Sequence, residues 1–204
     1  MNYGTLHREG SAKFLTSTGI WFDLNAPDPQ DVRIADIAWA LANVNRFGGH
    51  VGACSVAVHS LNVMERFVRK FGYLRQSYPN AALHALLHDA SEAYLGDVIS
   101  PLKVLLPSYR ELEARVQAAI WEAFELDAPD PQVAAAIKEA DIDVYARECV
   151  QFRGWDTKQH FDHAGPGLWE RAQGWELAHV FQNADIMGRL FEERARLHSR
   201  IQLT

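Results

Sequence analysis

With 204 residues, 48% of them hydrophobic and 23% charged, the chain is long enough for one self-sufficient core and has the composition of a soluble globular domain. A net charge of −6 with no run of Lys or Arg disfavours a nucleic-acid polymer as partner, while leaving room for a local basic pocket that takes one nucleotide. No apolar run approaches the ~18 residues needed to span a membrane. Residues 1–10 lack the apolar centre of a signal peptide. Cys54 and Cys149 make no disulfide framework, so a cytoplasmic protein with no membrane partner is expected.

Residues 13–24 read as a small β-hairpin, in which Lys13-Phe14-Leu15 and Ile20-Trp21-Phe22 flank the turn signal Ser17-Thr18-Gly19. Pro27-Asp28-Pro29 stops it, and residues 1–27 form a peripheral unit. A first helix capped by Asp31 buries Val32, Ile34, Ile37, Ala38, Leu41 and Val44, and Gly48-Gly49 ends it or the loop beyond. A second, over about 55–70, buries Val56, Val63 and Phe67. A third, over about 81–94, turns Leu83, Leu86, Leu87 and Ala90 inward, with Gly96 and Pro101 closing it.

Ser108-Tyr109-Arg110-Glu111 has the form of a capping box and opens a fourth helix carrying Leu112, Val116, Ile120 and Phe124. Asp130-Pro131 caps a fifth that runs to about 148. Residues 152–174 are aperiodic and read as a long loop. A last helix over about 175–198 carries Leu177, Val180, Phe181, Ala184, Met187, Leu190 and Phe191. The expected architecture is all-α: one domain over 1–204, a bundle of five to six helices with a small N-terminal β-hairpin.

His88-Asp89 is an odd pair to find beside the apolar Leu86-Leu87, because a buried carboxylate is costly unless a cation or donors compensate it. Neighbouring residues on a helix point about 100° apart, so both can serve one ion lying between their directions. Further ligands then come from other helices. His59 lies between Val56 and Val63, close to a buried stripe. Asp141 shares its face with Ile137, Val144 and Tyr145 and points inward, whereas Asp143 groups with Glu139 and Arg147 on a polar face. Two imidazoles with two carboxylates suit one divalent transition metal among Mn, Fe, Co, Ni and Zn. Such an ion activates water and offsets the charge of a phosphate.

The order His59, then His88-Asp89, then a distant Asp141, all on helices, resembles the HD superfamily of metal-dependent phosphohydrolases. The local text is more specific. His88-Asp89-Ala90-Ser91-Glu92, followed by Gly96-Asp97 and Pro101-Leu102-Lys103, resembles bacterial 5′-deoxynucleotidases and the phage dATP triphosphohydrolases related to them. Arg46-Phe47 upstream and Lys138-Glu139-Ala140-Asp141 downstream match as well, and the similarity spans roughly residues 14–148.

The resemblance implies an HD-domain helical bundle, one metal held by His59, His88, Asp89 and Asp141, and catalytic roles for Glu92 and Asp97. It also implies contacts from Arg46 to the phosphate and from Phe47 to the base, and a homo-oligomeric assembly. Phe47 stands where the deoxynucleotidases have Trp, and the loop from Arg46 to His59 differs in length, which bears on base preference and not on the chemistry. Helical spacing agrees with these roles. Glu92 falls on the His88-Asp89 face at i+4 and i+3, Asp97 lies just past the helix, and Lys103 is a candidate phosphate partner.

Blander readings take the remaining histidines. His84, at i−4 from His88, lacks the intervening glutamate of a zincin pair and reads as a helix-surface or outer-layer residue. His160 and His163 read as solvated loop, and His50 as a loop histidine near Arg46. The expected activity is phosphate release from deoxynucleoside 5′-monophosphates. A nucleoside triphosphate triphosphohydrolase and a non-catalytic nucleotide-binding protein are the rivals. Glu92 and Asp97 divide water positioning and proton transfer in an order that sequence leaves open.

Overall fold

A computed structural model describes residues 11–162, 164–180 and 183–199; the readings of residues 1–10, His163 and Phe181 lie outside the described residues. Two strands, β1 (Lys13–Leu15) and β2 (Trp21–Asp23), pair antiparallel with Phe14 opposite Phe22. Nine α-helices follow among the described residues: α1 (Ile34–Asn43), α2 (Val56–Phe71), α3 (Ala81–Leu86), α4 (Glu92–Leu95), α5 (Ser100–Leu105), α6 (Pro107–Ala123), α7 (Pro131–Arg153), α8 (Leu168–Arg171) and α9 (Ala184–His198). The protein is a mostly helical bundle with a small N-terminal hairpin, as its periodicity predicts. No helix among the described residues is long and apolar enough to cross a membrane.

α2 is the central helix. Its Ser55 cap accepts from the Val58 amide, and it packs on α3 and α7, while α1 packs on α9. The main core gathers Ile37, Leu41, Leu61, Phe67, Leu83, Leu86, Leu87, Ile120 and Phe191, all fully buried. α1 and α9 approach closely at Gly188, where a Cβ would lie 3.3 Å from the Ala38 carbonyl oxygen, so only glycine fits without a shift. A second, smaller cluster of Ala146, Cys149, Phe161, Leu168 and Ala172 packs the end of α7 against the segment after it.

The hairpin is well anchored. Ser17 Oγ, Thr18 N and Thr18 Oγ1 all donate to the buried Asp36 carboxylate at 2.6–2.7 Å. Fully buried Phe22 stacks on Tyr94 of α4 with ring centroids 4.0 Å apart. Burying such a ring stabilises by roughly 1.5–3 kcal/mol.

Five sequence readings need correction. The expected long loop over 152–174 holds the end of α7, a 3-10 turn at Lys158–Phe161 and α8, ordered by burial of Phe161 and Leu168 in the second cluster, which local periodicity does not report. The third predicted helix is two, because residues 87–91 tighten into turns in which Ala90 and Glu92 donate to the carbonyls of Leu87 and Asp89, three residues back. Ser108 is not a cap: Pro107 at the first helical position starts α6, following the unexpected α5. α1 begins at Ile34, while Pro29–Asp31 forms a separate 3-10 turn capped by the Asp28 side chain. Residues 175–180 are not helical. Trp175, Leu177 and His179 are half-buried at alternate positions, the period of extended chain, and Asn62 of α2 latches the segment by bonding both backbone groups of His179.

Candidate metal centre

The turn at residues 87–91 decides where the His-Asp pair points. His88 Nδ1 lies 3.0 Å from the Ala85 carbonyl oxygen, which can only accept, so Nδ1 carries the proton and Nε2 presents a lone pair. His59, fully buried on α2, repeats the arrangement: its Nδ1 lies 2.9 Å from Glu148 Oε1, leaving Nε2 to face the same space. Both Nε2 atoms are buried and make no hydrogen bond among the described residues.

Carboxylates surround these two lone pairs. Asp89 Oδ2 lies 3.0 Å from His88 Nε2 and 3.6 Å from His59 Nε2. Asp141 Oδ1 on α7 lies 3.2 Å from His59 Nε2. Acceptors at such distances repel one another unless a cation, proton or metal, sits among them. His59, His88 and Asp89 thus form a group able to hold a metal ion, with their candidate ligand atoms within 4.8 Å of one another. Asp141 joins through His59. The orphaned nitrogens and the mixed nitrogen-oxygen donor set fit a divalent transition metal.

The electrostatics agree. Burial and Arg46 oppose charge on His59, but Glu148 and Asp141 outweigh them and push the imidazole up to about 9. Burial works against charge on Asp89 too, yet His88 and His59 hold its carboxyl well below the ordinary range. Burial likewise opposes ionised Asp141, and its closeness to His59, with His88 and Lys138 beyond, wins and holds its carboxyl well below the ordinary range. The centre therefore holds ionised carboxylates around a proton on His59, and a metal would displace that proton.

Glu92, the first residue of α4, is 3% exposed; its Oε2 makes no hydrogen bond among the described residues and its Oε1 lies 3.5 Å from Lys103 Nζ. Burial, with the charges of Asp89 and Asp97 added, pushes its carboxyl up to about 9. Asp97 follows α4 and is raised as well, by burial first, with Arg46, Asp89, Lys103 and His59 within electrostatic reach. Lys103 on α5 is held between Glu113 at 2.7 Å and Glu92 at 3.5 Å, so its ammonium is engaged with the acids.

The loop from Asn45 to Ser55 is pinned at its base, where Arg46 N donates to Cys54 O at 2.8 Å and Cys54 N to Asn45 Oδ1 at 3.1 Å. This turns the Arg46 side chain inward, with Nη1 3.7 Å from Asp89 Oδ2. Phe47 has φ +59°, a strained value for a bulky residue and of the kind that collects at functional sites. Its ring lies beside Tyr145, and the Arg153 guanidinium sits 4.6 Å from its centroid.

The structure thus brings His59, His88, Asp89, Asp141, Glu92 and Arg46 together, places Asp97 and Lys103 at their edge, and packs Phe47 into the second cluster. Glu148 is the residue that sequence reasoning missed. It is fully buried on α7, and its only sequence signal is a seven-residue spacing from Asp141, which keeps both on one face. His84 is buried against Trp121, not on a helix surface. His160 is exposed, 3.4 Å from Asp156.

No protein-family model matches the chain. It is similar to the "Uncharacterized protein YfdR" of Escherichia coli (strain K12), 35% identical over 134 residues that cover 65% of this chain and 68% of that protein. It is also similar to the "Uncharacterized protein RCAP_rcc00048" of Rhodobacter capsulatus, 41% identical over 147 residues that cover 70% of this chain and 74% of that one.

Proposed function

The chain belongs to the family of YfdR and RCAP_rcc00048, and we propose that it is an HD-type metal-dependent phosphohydrolase that releases phosphate from a deoxynucleoside 5′-monophosphate. One observation carries the reading. Two buried imidazole nitrogens, each with its other nitrogen already donating, make no hydrogen bond among the described residues, and both face Asp89, with Asp141 beside the one on His59. A metal answers that arrangement, and His59, His88, Asp89 and Asp141 would hold it. Once bound, a divalent ion supplies Lewis acidity and positive charge opposite a phosphate.

The chain's own groups would do the rest. Arg46 keeps guanidinium donors beyond the Nε given to Glu148, and these can grip phosphate oxygens. Glu92 is buried in a carboxylate-rich pocket that favours its protonated form, while a bound cation would pull it back down. A carboxyl poised between those limits can give a proton to a leaving nucleoside oxygen and take one from water. Asp97 at the pocket edge is placed to orient that water. Lys103, held by Glu113, balances charge on Glu92.

The test is metal content by plasma emission spectroscopy, followed by product analysis on mono-, di- and triphosphates of the four deoxynucleosides. We expect about one metal per chain and orthophosphate from monophosphates. Release of intact tripolyphosphate would move the activity to the triphosphohydrolases. Metal-free protein with no turnover across added Mn, Co and Zn would overturn the reading.

A further inference from the structure

Among the described residues, Glu148 is the most completely buried carboxylate that no catalytic role uses. Its backbone sits near the end of α7, two turns beyond Asp141, and both oxygens are spent on different partners. Oε1 accepts from His59 Nδ1 at 2.9 Å, and Oε2 accepts from Arg46 Nε at 3.2 Å. The His59 ring is thereby held at both nitrogens by one helix, with Glu148 on Nδ1 and Asp141 beside Nε2. Arg46 is held on its Nε edge, leaving its terminal nitrogens toward Asp89 and the centre.

Stability alone does not call for this placement. A fully buried carboxylate is costly even when paired, and an apolar side chain of similar size often serves the core as well. What an apolar side chain cannot do is choose a tautomer. Without an acceptor at Nδ1, the imidazole can carry its proton on either nitrogen, and a proton on Nε2 blocks the lone pair a metal needs. Carboxylates bonded to metal-ligating imidazoles have this effect, and their loss costs about 10–100-fold in metal affinity or activity.

We propose that Glu148 is a positioning residue that fixes the metal-binding tautomer of His59 and the phosphate-facing orientation of Arg46, so that one buried carboxylate aligns the metal ligand and the substrate grip together. This rests on the phosphohydrolase reading. It predicts that the two alignments separate under substitution. In Glu148→Gln, the amide oxygen can still accept from His59 Nδ1, but the amide nitrogen then meets the Arg46 Nε–H as a second donor. In Glu148→Ala, both partners are released.

The experiment uses Co(II) titration followed by visible absorption, ¹⁵N NMR of histidine-labelled metal-free protein recorded above pH 9, where the His59 ring is neutral, and steady-state kinetics on a deoxynucleoside monophosphate. Circular dichroism shows which variants fold. Glu148→Gln should bind Co(II) within about threefold of wild type, keep the Nδ1–H tautomer of His59 and raise KM at least tenfold. Glu148→Ala should show a mixed tautomer and bind Co(II) about 10–100-fold more weakly. Should Glu148→Ala not fold, the Gln variant and its split between metal affinity and KM still decide the matter. Unchanged tautomer, Co(II) affinity and KM in the folded variants would overturn the proposal. Wild-type protein that binds no Co(II) would overturn the phosphohydrolase reading itself, a distinguishable failure.

Discussion

Asp141 and Asp143 stand two residues apart on α7 and live in opposite electrostatic worlds. Asp143 is 1% exposed and fully answered: Arg66 donates twice at 2.8–2.9 Å, Lys70 at 3.0 Å and Arg171 at 2.6 Å. Asp141 faces an imidazole nitrogen that already lacks a partner, with Asp89 also close to that nitrogen. One cluster closes on itself and ties α2, α7 and α8 together. The other is left incomplete in its own polar groups. A buried polar network that is satisfied specifies structure, and one that is not asks for a ligand.

The sharpest way to break that contrast is to remove each carboxylate in turn. Asp143→Ala leaves three cations without their common partner. Breaking a buried ion pair costs about 3–5 kcal/mol, and the lower end applies because Arg66, Lys70 and Arg171 can swing toward water. For a chain of this size that is a fall of roughly 6–12 °C in Tm. Metal bound per folded chain should stay at the wild-type level. Asp141→Ala should do the reverse, loosening the metal while lowering metal-free Tm less than Asp143→Ala does, since it gives up only the contacts with His59 and the exposed Lys138. Equal metal loss in both variants, by dialysis and plasma emission analysis, would erase the distinction.

The next effect concerns catalysis. Glu92→Ala removes a group near the metal ligands that is not counted among them. It should retain metal and lower kcat by about 100-fold or more, the usual scale for a general acid or base. Near wild-type phosphate release from a folded, metal-loaded variant would assign Glu92 to packing with Lys103 instead.

The two clusters also differ in how far the sequence revealed them. His88-Asp89 could be read because its unusual text is contiguous and sits beside an apolar stripe. The turn that aims it could not, because Leu83, Leu86, Leu87 and Ala90 keep a helical rhythm across residues 87–91. Grouping Asp143 with Glu139 and Arg147 found a polar face correctly and its exposure wrongly. Periodicity reports polarity, and this face is covered: Glu139 meets Lys70, while Arg147 meets Glu176 and the Ala172 carbonyl. Glu148 was out of reach for another reason. Its partners lie 89 and 102 residues away, so no local motif contains the triad.

The smallest predicted effect uses a histidine that belongs to neither cluster. His84 is 9% exposed on α3, packs edge-on against Trp121, and its Nδ1 makes no hydrogen bond among the described residues. Burial lowers its pKa below the ordinary 6.5, and Asp127 only partly opposes this. The sign follows from linkage. The unfolded chain binds the proton more readily than the fold, so stability is complete above about 6.5 and is lost as pH falls through that value toward the lower folded one. His84→Leu cannot take up the proton and should lose less Tm than wild type between pH 7.5 and 5.5. Both proteins should be metal-free, so that titration of His59 contributes equally to each. Parallel Tm curves for the two would mean that His84 accepts its proton in place, by rotating toward Asp127 or water, and that its burial carries no pH-dependent cost.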